Sequence, residues 1–253
     1  MIPTMSPTTA PPRAASPAPA FSAHDLLRVA PDLSLSPTAP SWVRNAIARA
    51  PWLVVRRAPI SDRKVPVGVR GSTRSERHGD HIDKTSVLER VKPEDLVTLG
   101  YGVFALAEPP LTLPADAVDG AVPGPAPFTT AALRLARALA PIFHQYGLTW
   151  GPTGSVGFEC ASGIPTATAA SDLDLIIRCE HALPVSEASS LLDDIERVSI
   201  SFNACRVDAN IETPYGAISL SEYARTSGAI LMRTSTQPRL TQNPWSAVKS
   251  EDG

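Results

Sequence analysis

Ser171-Asp172-Leu173-Asp174-Leu175-Ile176-Ile177, with Gly154-Ser155 upstream of it, decides how this chain folds and where its chemistry sits. Two carboxylates one residue apart, followed by an unbroken apolar run, read as the start of a buried strand. Alternation puts Asp172 and Asp174 on one face of that strand and Leu173 and Leu175 on the other. Like charges held so close raise one another's pKa and call for a counter-charge. A divalent cation bound through oxygen supplies it, and Mg²⁺ is the expected ion. Leu148 to Phe158 reads as a strand that enters a glycine-rich turn and leaves as a second strand. The turn at Gly154-Ser155 is expected to offer backbone N–H groups and a hydroxyl to a phosphate chain.

Around this centre the C-terminal half alternates helices and strands. Thr129 or Thr130 caps a helix from Ala131 toward Gln145, closed by Gly147 and bent at Pro141. A second helix is expected from Pro184 to Val198 and a third opening at Ser219 or Ser221. Between them Phe202 to Glu212 reads as a strand with Arg206, Asp208, Asn210 and Glu212 on one face. Asp208 is the candidate third carboxylate, with Glu212 as its rival. Three carboxylates from adjacent strands hold two Mg²⁺ ions about 3.5–4 Å apart. Such a pair suits nucleotidyl transfer, where positioning and charge stabilisation do most of the work. Asp-x-Asp alone is weaker evidence, since it also occurs in glycosyltransferases and at solvated strand ends.

The N-terminal half is built differently. A short helix is expected where Ser22 precedes Asp25, and Ser41 to Ala50 reads as an amphipathic helix stopped by Pro51. Trp52 to Arg57 and Val65 to Gly71 form a hairpin by their β-branched content. The polar segment Ser72 to His78 follows. Arg56, Arg57, Arg70, Arg74 and Arg77 cluster on these neighbouring segments, and guanidinium forks match phosphate oxygens. Arg70, Arg74 and Arg77 are the candidates to hold a triphosphate. Gly68 and Gly71 flank Arg70 and let a ligand approach the backbone. His78 and His81, with Asp80 and Asp83, mimic a metal cluster, but no fourth ligand type or motif supports one. Thr85 to Val97 reads as a helix followed by one that starts at Pro93.

The 253 residues carry a formal charge of −2, which argues against a bulk polyanion such as nucleic acid as the main partner. Cys160, Cys179 and Cys205 are scattered without metal-ligand spacing, as expected of buried thiols in a cytoplasmic protein. No stretch reaches the length of a membrane span. Residues 1–21 read as a disordered Pro/Ala-rich tail and 22–107 as a small α+β domain. Residues 108–127 read as a linker and 128–253 as the catalytic domain.

Gly151-Pro152-Thr153-Gly154-Ser155-Val156-Gly157-Phe158-Glu159 and Ser171-Asp172-Leu173-Asp174-Leu175 resemble the phosphoribosyl-dephospho-CoA transferases of bacterial malonate decarboxylase systems. The likeness extends to His24-Asp25-Leu26-Leu27, Val67-Gly68-Val69-Arg70-Gly71, Asp208 and Pro244-Trp245. It implies an α+β architecture with a polymerase-β-like nucleotidyltransferase domain behind a small N-terminal domain. It also implies transfer of 2′-(5″-triphosphoribosyl)-3′-dephospho-CoA to a serine of the decarboxylase's acyl carrier protein, with release of pyrophosphate. Asp172 and Asp174 match that family's metal-binding pair. Against the wider superfamily, a hairpin is expected to replace a short turn-helix between Ser155 and Asp172. Two other readings stay open: a nucleotidyltransferase using ordinary ATP on another acceptor, and a non-catalytic CoA- or nucleotide-binding partner of a carrier protein.

Overall fold

A computed structural model describes residues 21–73, 75–105 and 129–247. The expected tail up to residue 20, Arg74 and the expected linker lie outside the described residues. The first sheet is antiparallel. It comprises β1 (Leu26–Arg28), β2 (Trp52–Val55), β3 (Lys64–Arg70), β4 (Arg77–Asp83) and β5 (Glu89–Val91), in the order β4-β3-β2-β1-β5. Helix α1 (Ser41–Arg49), as expected, packs Val43, Ala46 and Ile47 onto one face, against Leu27, Leu53, Val55 and the alternate valines 65, 67 and 69. The opposite face carries Leu26, Trp52 and Val91 into a second core.

Two expectations fail in this half, for one reason. Asp25 accepts the Ser22 N–H at 2.7 Å, yet no helix follows. Leu26 and Leu27 each belong to a different core, so the chain runs extended between β2 and β5. Likewise only a single 3-10 turn at Lys84–Ser86 forms where a helix was expected, and Glu89–Val91 is drawn into β5 by pairing with β1. Tertiary pairing overrides local propensity in both places. The polar segment after Arg70 turns back as β4, paired along the whole of β3. The helix α2 (Pro93–Thr98) starts at its proline as expected.

The second sheet is mixed. Helix α3 (Ala131–Gln145) is capped by Thr130, whose Oγ1 accepts the Leu133 N–H, and runs unbroken through Pro141. Then come β6 (Thr149–Pro152), α4 (Gly154–Ser162), β7 (Leu173–Arg178), α5 (Val185–Ile200), β8 (Val207–Thr213), β9 (Gly216–Ser219), α6 (Leu220–Arg225), β10 (Ile230–Arg233) and β11 (Pro238–Thr241). The order is β11-β10-β9-β8-β7-β6, and only β7 and β8 run parallel, joined by α5 as the crossover. The strand and hairpin expected after Gly154-Ser155 are corrected to helix α4 and a loop. Val156, Gly157, Phe158, Glu159 and Cys160 are all buried, and a short run buried all round has no period to separate helix from strand. Gly163, left-handed at φ 71°, closes the helix.

Leu173, Leu175 and Ile177 of β7, Leu191 and Ile195 of α5, and the stacked Phe143–Trp150 pair share one core with Leu26 and Trp52 of the first sheet. The junction is tight. A β-carbon on Gly151 would meet the backbone N of Glu94 at 2.6 Å, so β6 lies directly against the start of α2. Charge links the sheets as well. Buried Asp25 accepts from Arg90 Nε at 2.7 Å and lies 3.9 Å from Arg178, which in turn reaches Glu94 at 3.4 Å. Arg57 of the first sheet is bonded to Glu212 of the second.

Candidate active site

Parallel pairing sets Asp174 in register with Asp208, while Asp172 lies one residue before β7 begins. Partners in register point to the same face, so the carboxylates meet at the N-terminal ends of the two strands. Asp174 shows the consequence. Burial raises its pKa above the ordinary carboxylate range, and the charges of Asp208 and Asp172 raise it further. Arg77 and Arg70 act in the opposite direction. These arginines are cross-strand partners at the end of the β3–β4 hairpin. The site is therefore a cleft, with carboxylates on the second sheet and arginines on the first. Arg74 lies outside the described residues.

Gly154 closes the cleft from a third side. Its φ is 58°, in the left-handed region, and a β-carbon there would overlap Asp174 Oδ2 and stand 2.9 Å from its Cγ. Glycine is required on both counts. The Thr153 N–H donates to the Asp174 carbonyl at 2.8 Å, which pins the start of α4 to the carboxylate strand. Thr153 makes no side-chain cap, so the first-turn N–H groups at Gly154 and Ser155 are left without an intrahelical acceptor. Unfilled N–H groups at a helix start are donors of the kind that suits an anion, and here they lie beside Asp174.

Further along α4, Glu159 is buried and accepts the Thr166 and Ala167 N–H groups, both at 2.8 Å. It thereby fixes the loop that delivers Asp172.

The donor set suits Mg²⁺. All three side chains are hard oxygen donors, and the Asp174 carboxylate accepts no hydrogen bond among the described residues while repelled by two neighbours. As placed, Asp208 faces Arg206 at 2.8 Å, and no group of three acidic, His or Cys side chains among the described residues could hold a metal ion. Loading a metal thus requires the half-buried Asp208 to turn from Arg206. Glu212 is not the third partner. It pairs across from Arg178, four residues beyond Asp208 or ~13 Å along the strand, and is bonded to Arg57. The His78 cluster is structural: His78 lies 3.6 Å from Asp80, which accepts the Ser36 N–H.

A cavity of about 340 Å³ opens beside Asp174 and Asp208, and Arg206, Asn210, Ser219 and Arg233 line it. Arg206 and Asn210 were legible from strand alternation. Arg233 was not, because only the pairing of β10 with β9 brings it to this face. His24 also escaped the sequence reading. It holds a left-handed φ of 73° beside Glu212, Arg57 and Arg233, and burial pushes its pKa down to about 4.

A mixed sheet whose carboxylate strand follows a Gly-Ser helix start, behind a small α+β unit, is the architecture of a polymerase-β-type nucleotidyltransferase, and the protein is a transferase of that class. More narrowly, the chain belongs to the phosphoribosyl-dephospho-CoA transferase family. Residues 22–93 match the phosphoribosyl-dephospho-CoA transferase MdcG N-terminal domain, and residues 123–244 match the C-terminal domain of the same family. Among its relatives is a phosphoribosyl-dephospho-CoA transferase of Pseudomonas putida (strain W619), 31% identical over 89% of this chain and 96% of the relative. Those of Azotobacter vinelandii and Klebsiella pneumoniae are 34% and 36% identical, over 89% and 88% of this chain and 94% and 95% of theirs. No solved structure matches the chain.

Proposed function

We propose that this protein transfers the 2′-(5″-phosphoribosyl)-3′-dephospho-CoA group from its triphosphate precursor to a serine of the malonate decarboxylase acyl carrier protein. The observation that carries the mechanism is the register of Asp174 against Asp208, with Gly154 pressed on Asp174 and the Arg70–Arg77 pair opposite. Asp172, Asp174 and Asp208 are the residues that would hold Mg²⁺, which when bound would neutralise phosphate charge. The N–H groups at Gly154 and Ser155 bind the β- and γ-phosphates. Arg70 and Arg77 balance the charge of the triphosphate from the other wall. The carrier serine Oγ bonds to the α-phosphorus as the bond from that phosphorus to the β-bridging oxygen breaks. Asp208 takes the serine proton on its carboxylate, and pyrophosphate departs.

The test supplies apo-carrier protein, precursor and Mg²⁺ and follows pyrophosphate release and the mass of the carrier. Wild-type protein is expected to release one pyrophosphate per modified carrier, and Asp172→Asn to stay folded while losing at least a hundredfold in rate, as when a transition-state charge contact is removed. Transfer by Asp172→Asn near the wild-type rate would sink the assignment. Labelling from ATP instead of the precursor would replace the substrate.

A further inference from the structure

We infer that Arg56, laid across the facing glycines Gly68 and Gly79, is the stacking platform for the adenine of the transferred group. This deepens the function proposed above and rests on it. Gly68 and Gly79 are directly opposite in the β3–β4 ladder, on the face that also carries Arg70 and Arg77. The Arg56 chain crosses them. Its Cγ and Cδ lie 3.6 and 3.8 Å from where a β-carbon of Gly68 would stand, and its Cζ lies 2.8 Å from the corresponding point on Gly79. Two paired glycines weaken a ladder, and no turn or positive φ demands them here. At Gly68 a β-carbon would only touch the Arg56 stem, but at Gly79 it would overlap the guanidinium, so the bare backbone of Gly79 is what leaves a flat floor for the guanidinium to rest on.

The other face of that guanidinium is open. Arg56 is exposed, and among the described residues it has no hydrogen-bond or ion-pair partner. A planar, weakly hydrated cation held flat and unpaired is suited to stack on a heteroaromatic base. Its place in the cleft agrees with the ligand. Gly79 is two residues from Arg77 on the same face, a step of ~7 Å, and Arg77 with Arg70 is the pair whose charge reaches Asp174. In the precursor, two ribose rings separate the α-phosphorus from adenine, so a base on Arg56 leaves the triphosphate at Arg70, Arg77 and Gly154.

Equilibrium binding to the full chain separates base from phosphate, using dephospho-CoA and inorganic tripolyphosphate as probes. Arg56→Ala and Arg56→Lys are each expected to weaken dephospho-CoA about tenfold or more, the loss typical of one stacked base, and to leave tripolyphosphate unchanged. Gly79→Ala, which displaces the guanidinium but keeps its charge, is expected to do the same. Full affinity in Arg56→Lys would show a charge contact instead and overturn the platform. So would equal losses for both probes. Tight tripolyphosphate binding with no dephospho-CoA binding by the wild type would overturn the functional reading itself.

Discussion

Asp174 concentrates the tension of this molecule in one side chain. It is half-buried, flanked by two like charges, and pressed by the backbone of Gly154. Such a group is stabilising only when a cation is present, so metal-free protein should gain stability when the charge is removed. Asp174→Asn is expected to raise the metal-free melting temperature by a few degrees, the shift that ~1 kcal/mol brings to a chain of this size, while transfer is lost. The pH dependence follows from the same shift. A carboxylate whose pKa is raised on folding favours the folded state below its unfolded pKa of about 3.9 and loses that contribution as pH rises through the folded value. Melting curves from pH 4 to 7 should therefore differ between wild type and variant most at the upper end. An Asp174→Asn protein that melts lower than wild type in the absence of metal would refute this account. Asp172 and Asp174 stood out in sequence because two carboxylates one residue apart at the head of an apolar run call for a counter-charge, and Asp208 because alternation gives it an inward face on a later strand. Choosing Asp208 over Glu212 was not legible there, since alternation puts both on one face and only the register with β7 separates them.

At the scale of elements, α4 and the loop behind it act as a jig for Asp172. The buried Glu159 carboxylate accepts two loop N–H groups. Hydrogen bonds to a charged group are worth about 1.5–3 kcal/mol each, and their loss frees the two half-buried loop N–H groups of Thr166 and Ala167. Glu159→Ala is expected to cost on the order of 3–5 kcal/mol in urea unfolding, with the metal-dependent rate falling further than stability explains. Glu159→Gln, which keeps one acceptor oxygen, should recover part of both. An alanine variant within ~0.5 kcal/mol of wild type would mean the loop is held by something else. Here the sequence was least informative. Gly154 to Cys160 has no amphipathic period because every side is covered, and Leu26-Leu27 looks like a helix start although each leucine serves a different core. By contrast α1, α3 and α5 present one apolar stripe each and were readable from it.

For the whole molecule, the candidate site depends on how the two sheets are joined, and that junction combines apolar burial with charge pairs. Leu26, Trp52 and Val91 enter the core beneath β7, while His24, Arg57 and Glu212 gather at its edge. His24 lies 4.0 Å from Glu212, yet burial and the nearby Arg57, Arg178 and Arg233 keep it neutral, with a pKa lowered from 6.5 to about 4. A histidine depressed in this way adds stability that is complete above pH 6.5 and is lost as pH falls toward 4, because the unfolded chain takes up a proton that the folded chain refuses. This slope is opposite in sign to that of Asp174, so the two groups are separable by substitution. Asparagine tolerates the left-handed backbone that His24 adopts, and His24→Asn removes the titration without forcing a new backbone. Urea unfolding of His24→Asn between pH 4 and 7 should show a shallower fall in stability with acid than wild type, and the gap should close above pH 6.5. Parallel curves across that range would mean His24 is protonated in the folded protein and that the cationic edge of the cleft is balanced by Glu212 alone.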